Sequence, residues 1–460
     1  MKKMLFFMMA TLLCLSLCAC GKAADAKNTG QNSGLQVVTG ETDTASKSEL
    51  KTLISKDGES ACNTEDGYYY LTSDVTKLSD GNYGMHLMYM DFAQEREIYL
   101  CSTAGCRHDT LDCPAVFSYD DFPIFTTKLF TFQDSLYILS REYDNDGSSS
   151  QNVITIGDDS GVESSPAALY RANLDGTERK KVYTFDADLT IEDMVIGNDA
   201  GIYLVTKKLS TEKAEGATYT TSQERKLVFL NLASLQMQEI CPMDFDDNIT
   251  WSIVGCYGNA FILYGIDFGR ELSREEIWDD DVYRELYDNS DTVYASLDEN
   301  GGQLREICRQ SNRYESSMQL NGDSMYLSSN QNQNIEVINL KTGERKTLCA
   351  LPQNLMMYTF EDTLCCRDWS LGGENQTWYF VDKKTGEITQ TPLVNKCNGW
   401  ALEFCGETTD EALFIYDYDA TGYEDGSYEI HQYKYALMKK ADLFSGKENY
   451  RSIEMIGAGR

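Results

Sequence analysis

Three histidines and six prolines are all that the 460 residues contain. The shortage of histidine confines imidazole chemistry to His86, His108 and His431, and only His108 has a cysteine close to it in sequence. Positive charge is short too: 40 Lys and Arg stand against 73 Asp and Glu, a formal net charge of −33. So acidic a surface repels nucleic acid and anionic lipid headgroups, and leaves cations, basic partners or neutral glycans as compatible ligands. The usual catalytic signatures are missing as well. There is no Gly-x-Ser-x-Gly elbow, no Gly-Lys-Ser/Thr phosphate loop and no His-Glu-x-x-His. Paired carboxylates could be drawn from so many acids that no particular pair is indicated. An apolar run follows Lys2 and Lys3, from Met4 to Leu17, but it falls short of the ~20 residues that span a bilayer. It reads as a cleaved secretory leader over residues 1–19 rather than as a membrane anchor.

The leader ends in Leu17-Cys18-Ala19-Cys20. This stretch resembles the lipobox of bacterial lipoproteins. The resemblance implies cleavage before Cys20, acylation of its sulfur, and a place on the extracytoplasmic face of the cell membrane. Residues 20–60 are rich in Ala, Asn, Thr, Gly, Ser and Lys and read as a flexible tether, with folding expected to begin near Glu65.

The remainder, 61–460, is too long for one ordinary core and carries a repeat. A polar turn followed by a tyrosine-rich or aliphatic strand recurs at Asp66–Leu71, Asp134–Ile138, Asp199–Leu204, Gly258–Leu263, Gly322–Leu327, Glu361–Leu364 and Asp410–Ile415. Each copy is followed by a second element, strand, tight turn, strand. Leu169–Thr177, Val337–Glu344 and Tyr379–Glu387 are its clearest examples, and Met88–Glu95, Phe229–Gln238, Val293–Gly302 and Met438–Lys447 its weaker ones. Asp-Gly and Thr-Gly between such strands are hairpin signals. Spacings of ~40–70 residues fit four-stranded blades. The pattern predicts an all-β propeller of about seven blades, six or eight being open, with two stacked sandwiches as the competing architecture. It is similar to WD-repeat and quinoprotein-like propellers, although the Trp-Asp and Gly-His signatures of true WD repeats are absent. Only Ser273–Tyr287, inside an insert, has a helical period.

Cys101, Cys106, His108 and Cys113 form the sharpest constellation, spaced C-x4-C-x-H-x4-C. The segment resembles one found in uncharacterised Gram-positive propeller lipoproteins, which implies a recurrent structural element and no known activity. Three thiols and an imidazole suit zinc. The oxidising compartment favours a disulfide clip instead, Cys106–Cys113 or Cys101–Cys113, and a catalytic thiol comes third. Of the other cysteines, Cys241–Cys256 and Cys349–Cys365 could staple adjacent blades. Buried free thiols are the favoured reading for most of that set, which also holds Cys308, Cys366, Cys397 and Cys405.

Two acidic stretches suggest calcium. Glu142 to Gly147 offers alternating oxygens but reaches Val153 at the twelfth position, and Asp417 to Gly422 reaches Tyr428, with Glu429 one step on. Acidic hairpin tips explain both more simply. Trp278-Asp279-Asp280-Asp281 could stack a sugar or bind a cation, or form a solvated loop. The functional expectation is a membrane-anchored binding or scaffolding module for an envelope protein, peptide or glycan. A hydrolase or lyase acting on extracellular polysaccharide, and a small-molecule or metal sensor, are the alternatives.

Overall fold

Tyr68-Tyr69-Tyr70-Leu71 shows how these strands are used. Side chains along a strand point alternately to its two faces. Tyr68 and Tyr70 enter one apolar cluster, with Leu413, Tyr435 and Leu437, while Tyr69 and Leu71 enter another, with Leu129, Leu136 and Ile138. Both faces are buried, so the strand reads as a continuous apolar run instead of an alternating one.

The computed structural model describes residues 49–456, apart from 55–59, 120–126, 141–165, 215–216, 247, 315, 330, 352–354, 361, 369–376 and 424–427. Seven antiparallel sheets follow one another, each built on four strands taken in chain order, and form the blades of a propeller. Blade 1 comprises Ala61–Asn63, Gly67–Leu71, Tyr83–Asp91 and Arg96–Tyr99, and blade 2 Thr127–Phe132, Ser135–Ser140, Ala168–Asn173 and Lys180–Thr184. Blade 3 comprises Val195–Asn198, Gly201–Ala214, Ala217–Asn231 and Gln236–Pro242, and blade 4 Ser252–Tyr257, Ala260–Asp267, Asp291–Asp298 and Leu304–Ser311. Blade 5 comprises Ser316–Asn321, Ser324–Ser329, Asn334–Asn339 and Arg345–Ala350, and blade 6 Leu355–Thr359, Thr363–Asp368, Trp378–Asp382 and Ile388–Thr391. Blade 7 comprises Glu403–Glu407, Glu411–Gly422, Tyr428–Lys439 and Arg451–Ser452. The seven turn-and-strand repeats of the sequence are the second strands, and the second elements are the hairpins from third to fourth strand, except that Met438–Lys447 runs from the third strand into a helix instead of a tight turn.

Each seam between neighbouring blades has its own apolar cluster. Phe261 and Tyr203 meet between blades 3 and 4, Met325 and Tyr294 between 4 and 5, and Phe414 and Phe380 between 6 and 7. The cluster of Tyr68, Met88, Leu413 and Leu437 joins blade 7 to blade 1 and closes the ring. Closure is reinforced from the C-terminal side. Glu97 N–H donates to the Glu454 carbonyl and Glu454 N–H to the Glu95 carbonyl, each at 2.8 Å. Arg451 reaches Glu95, Glu411 and the Phe92 carbonyl. The buried Glu97 carboxylate accepts from the Tyr70 hydroxyl and from the Ile456 N–H.

The two sides of the ring differ. Turns from first to second strand and from third to fourth leave one side, and they are short, such as 133–134, 258–259, 322–323 and 340–344. The exception is 440–450 in blade 7, which holds a short helix, Lys440–Ser445. Connections from second to third strand leave the other side and vary widely: 72–82, 141–167, 268–290 and 369–377. The same edge extends the blade 3 and blade 7 hairpins well past their neighbours. Helices α1 (Arg274–Trp278) and α2 (Asp280–Asp288) lie in the 268–290 insert, where a helical period was expected.

The folded body begins earlier than composition indicates. Strand β1 (Lys51–Ile54), within the expected tether, pairs antiparallel with Val195–Asn198, the first strand of blade 3. First strands line the axis, so a strand added beyond one lies in the axial channel. Leu50 N–H donates to the Gly258 carbonyl of a short turn at 2.9 Å, Thr52 Oγ1 lies 3.6 Å from Cys256 Sγ, and Leu53 abuts Gly197. The chain therefore enters the ring from the short-turn side and runs through it. Leu50 and Ile54 join the seam clusters on either side of blade 3 and so anchor both ends of this segment.

Candidate metal centre

The fourth strand of blade 1 is interrupted. Arg96–Tyr99 pairs with the third strand from Met88↔Tyr99 to Asp91↔Arg96, and Val116–Ser118 continues the ladder from His86↔Val116 to Gly84↔Ser118. Leu87 spans the break, accepting from Leu100 N–H at 2.9 Å and donating to the Ala115 carbonyl at 2.8 Å. Residues 101–114 are thus an excursion whose two ends are already stitched to one strand.

Tight turns shape the excursion. Cys106 N–H donates to the Thr103 carbonyl at 3.2 Å and Cys113 N–H to the Thr110 carbonyl at 3.1 Å. His108 takes a left-handed conformation, φ 56°, which is uncommon outside glycine. The result is convergence: one donor atom from each of Cys101, Cys106, His108 and Cys113 lies within 4.8 Å of all the others. His108 Nδ1 is 3.3 Å from Cys113 Sγ. Cys113 is buried over Leu78, Ala115 and Val116, and the other three ligand candidates are half-buried.

Neighbours hold the excursion from both sides. His86, on the third strand, has Nε2 2.8 Å from the His108 carbonyl, so that nitrogen carries the proton. The Tyr99 ring stacks on His108 with centroids 4.2 Å apart and meets His86 edge-on at 5.0 Å. From blade 2, Arg179 donates to the Pro114 and Val116 carbonyls at 2.9 and 3.0 Å and lies over the Phe117 ring. The excursion therefore sits on the outer rim, at the seam of blades 1 and 2.

Burial pushes the Cys113 thiol up to about 12, helped by the Cys106 and Cys101 sulfurs and opposed by the Ala115 N–H. Cys101 also feels burial, but hydrogen bonds from the Thr103 backbone and hydroxyl and from the neighbouring thiols outweigh it and hold that thiol below its ordinary value. Burial, then His86, lowers His108 against the pull of Asp109 and keeps the imidazole neutral. Neutral imidazole and soft sulfur are donors for a transition metal, and this cluster could hold one.

None of the twelve cysteines among the described residues is joined in a disulfide in this structure, in keeping with the buried thiols favoured for most of the blade set. Geometry separates the two candidate staple pairs. Cys241 is on the outer strand of blade 3 and Cys256 on the inner strand of blade 4. Cys365 faces the blade 6–7 seam while Cys349 packs in the blade 5–6 seam, where Cys366 lies instead. These thiols fill seams as small apolar residues. Burial alone raises Cys349 to about 11 against a hydrogen bond from Ile335.

The second acidic stretch proves to be strand. Asp417 to Gly422 pairs with the next strand, with one register shift between Asp419 and Ala420, and Asp417 binds Lys434 Nζ at 2.9 Å. Asp279 caps α2, accepting from the Asp281 and Val282 N–H groups. His431 Nε2 lies 2.7 Å from Thr421 Oγ1 on the blade 7 hairpin. Cys20 and the stretch from Glu142 to Val153 lie outside the described residues. The supporting residues His86 and Arg179 escape a sequence reading, since neither is near the cysteines in the chain. Tyr99 is two residues from Cys101 and carries the only local signal.

No protein-family model matches the chain, and no curated protein does. Solved structures with similarity include a Mycobacterium tuberculosis puromycin-hydrolyzing peptidase, 11% identical, covering 90% of this chain and 55% of the other with a TM-score of 0.46. Porphyromonas gingivalis dipeptidyl peptidase 4 is 9% identical, with coverages of 85% and 51% and a TM-score of 0.40. Oligogalacturonate lyase from Vibrio parahaemolyticus is 11% identical, with coverages of 80% and 93% and a TM-score of 0.38. The chain spans about half the length of the peptidases it matches. Likenesses this distant carry no argument about what the chain does.

Proposed function

We propose that the chain is a lipid-anchored, extracytoplasmic propeller that binds or scaffolds an envelope protein, peptide or glycan through the side of the ring that carries the inserts. One observation supports this reading above the rest. The long connections and extended hairpins leave one side, while the chain enters through the other, at Leu50. With Cys20 acylated, the flexible tether joins the ring on its short-turn side and leaves the insert side unobstructed. Loops on a rigid scaffold are where binding residues concentrate. The axial channel, where propellers often place small-molecule sites, holds β1 instead. A metal ion in the Cys/His cluster fits this reading as a brace on the rim.

The test uses the purified full chain in detergent, with cell-wall glycans and fractionated envelope proteins as probes. Replacing Asp280 and Asp281 by Lys, on the insert side, should abolish retention of the bound probe. Lys341→Glu, on the short-turn side, should leave it intact. The reverse pattern would overturn the proposal, as would turnover of an extracellular polysaccharide by the chain. Mass spectrometry of the purified protein should find an acyl modification on Cys20 as the first residue, and a retained leader would remove the anchor from the reading.

A further inference from the structure

We propose that Cys101, Cys106, His108 and Cys113 form a closed structural Zn2+ site, with His108 binding through Nδ1. This goes beyond the binding-module reading and does not depend on it.

Metal–sulfur bonds of about 2.3 Å put the edges of a zinc–thiolate tetrahedron near 3.7 Å. The four donor atoms lie mutually within 4.8 Å, and His108 Nδ1 is 3.3 Å from Cys113 Sγ, so their separations bracket that figure. A disulfide uses two sulfurs and leaves the third, together with the imidazole, converging on nothing. Zinc uses all four. The ring orientation agrees, because Nδ1 is the His108 nitrogen that faces Cys113.

The surroundings suit the charge of such a centre. Three thiolates and one Zn2+ leave one negative charge. The Thr103 N–H points at the Cys101 sulfur and the Ala115 N–H at the Cys113 sulfur, and both stabilise thiolate. The Arg179 guanidinium, anchored on the Pro114 and Val116 carbonyls, lies near enough to act on Cys113 electrostatically. Four protein donors leave no open position for water or substrate, so the ion is structural and not catalytic. Its effect is to fix an excursion whose apolar packing is one small cluster around Leu78, Ala115 and Val116, and through Arg179 to tie the rim of blade 1 to blade 2.

Elemental analysis of the full chain, purified without chelator, should find about one zinc ion per chain. Cys106→Ser and Cys113→Ser should lose it, while Cys241→Ser, a free thiol in the blade 3–4 seam, should keep it. If the cluster variants do not fold, the wild-type chain produced in cobalt medium still decides the matter. It should show the absorption of tetrahedral Co2+ with sulfur-to-metal charge transfer, bleached by excess zinc. Wild-type protein free of zinc, zinc retained by Cys113→Ser, or a disulfide mapped among Cys101, Cys106 and Cys113 would each overturn the proposal. Because these readouts are metal content and spectra, they can fail while partner binding survives, and the converse also holds.

Discussion

The two sides of the ring are built from the same strands but obey different constraints. On the short-turn side, hairpin turns pack against the blade before them. Gly176 abuts the Leu100 carbonyl and Gly386 the Leu348 carbonyl, both in left-handed conformations. At these two turns an added Cβ would collide with the neighbouring outer strand. On the other side the described connections grow into helices, a short strand at Thr76–Lys77 and long hairpins. Length variation has gathered where packing does not forbid it. The lesson is that close packing against the preceding blade limits turns on the short-turn side, while the insert side is open to other uses.

That division can be broken or sharpened by substitution. Phe261 follows a short turn and is fully buried between blades 3 and 4. Phe261→Ala should cost about 3–5 kcal/mol, read from the urea midpoint and slope of the full chain. Next, Gly386→Ala should cost about 1–3 kcal/mol, through its φ of 73° and the Leu348 carbonyl. On the insert side, Asp279→Ala removes the cap of α2 and should cost about 1 kcal/mol locally. Far-UV helicity should fall while the global midpoint stays in place. A shift as large as that of Gly386→Ala would erase the distinction between the sides.

The smallest effect is a pH dependence at the closure. Burial raises the Glu97 carboxyl above its ordinary value, although the Tyr70 hydroxyl and Ile456 N–H pull it down. A raised carboxyl binds its proton more tightly in the folded state than in the unfolded one. Its contribution is therefore fully present below the unfolded value and declines as pH rises through the folded one. Glu97→Gln should flatten the slope of stability against pH in that window, and an unchanged slope would show that Glu97 titrates normally.

The sequence exposes some parts of this molecule and hides others for physical reasons. Second strands and outer hairpins were legible because each joins a tight polar turn to a run buried on both faces. First strands such as Ser316–Asn321 and Glu403–Glu407 are polar and half-buried along the axis, and lack that contrast. β1 is four residues in a polar stretch, and only its partners make it a strand. The Cys/His spacing was visible, but whether sulfurs pair or converge depends on the turns at Gly105 and His108, which spacing does not encode. Asp417 and Asp419 imitated a calcium loop because alternate residues on one face of a strand have the same period as alternate ligands in such a loop.

β1 also decides how the molecule would bear a load. Tension on the N-terminal segment is directed along the strand, at right angles to the hydrogen bonds of the Lys51↔Gly197 to Ile54↔Val195 register. Those bonds would have to shear together instead of unzipping singly. A tug on the leading end thus reaches the hub before it reaches any blade edge, as a rope knotted through the centre of a wheel pulls on the axle and spares the rim.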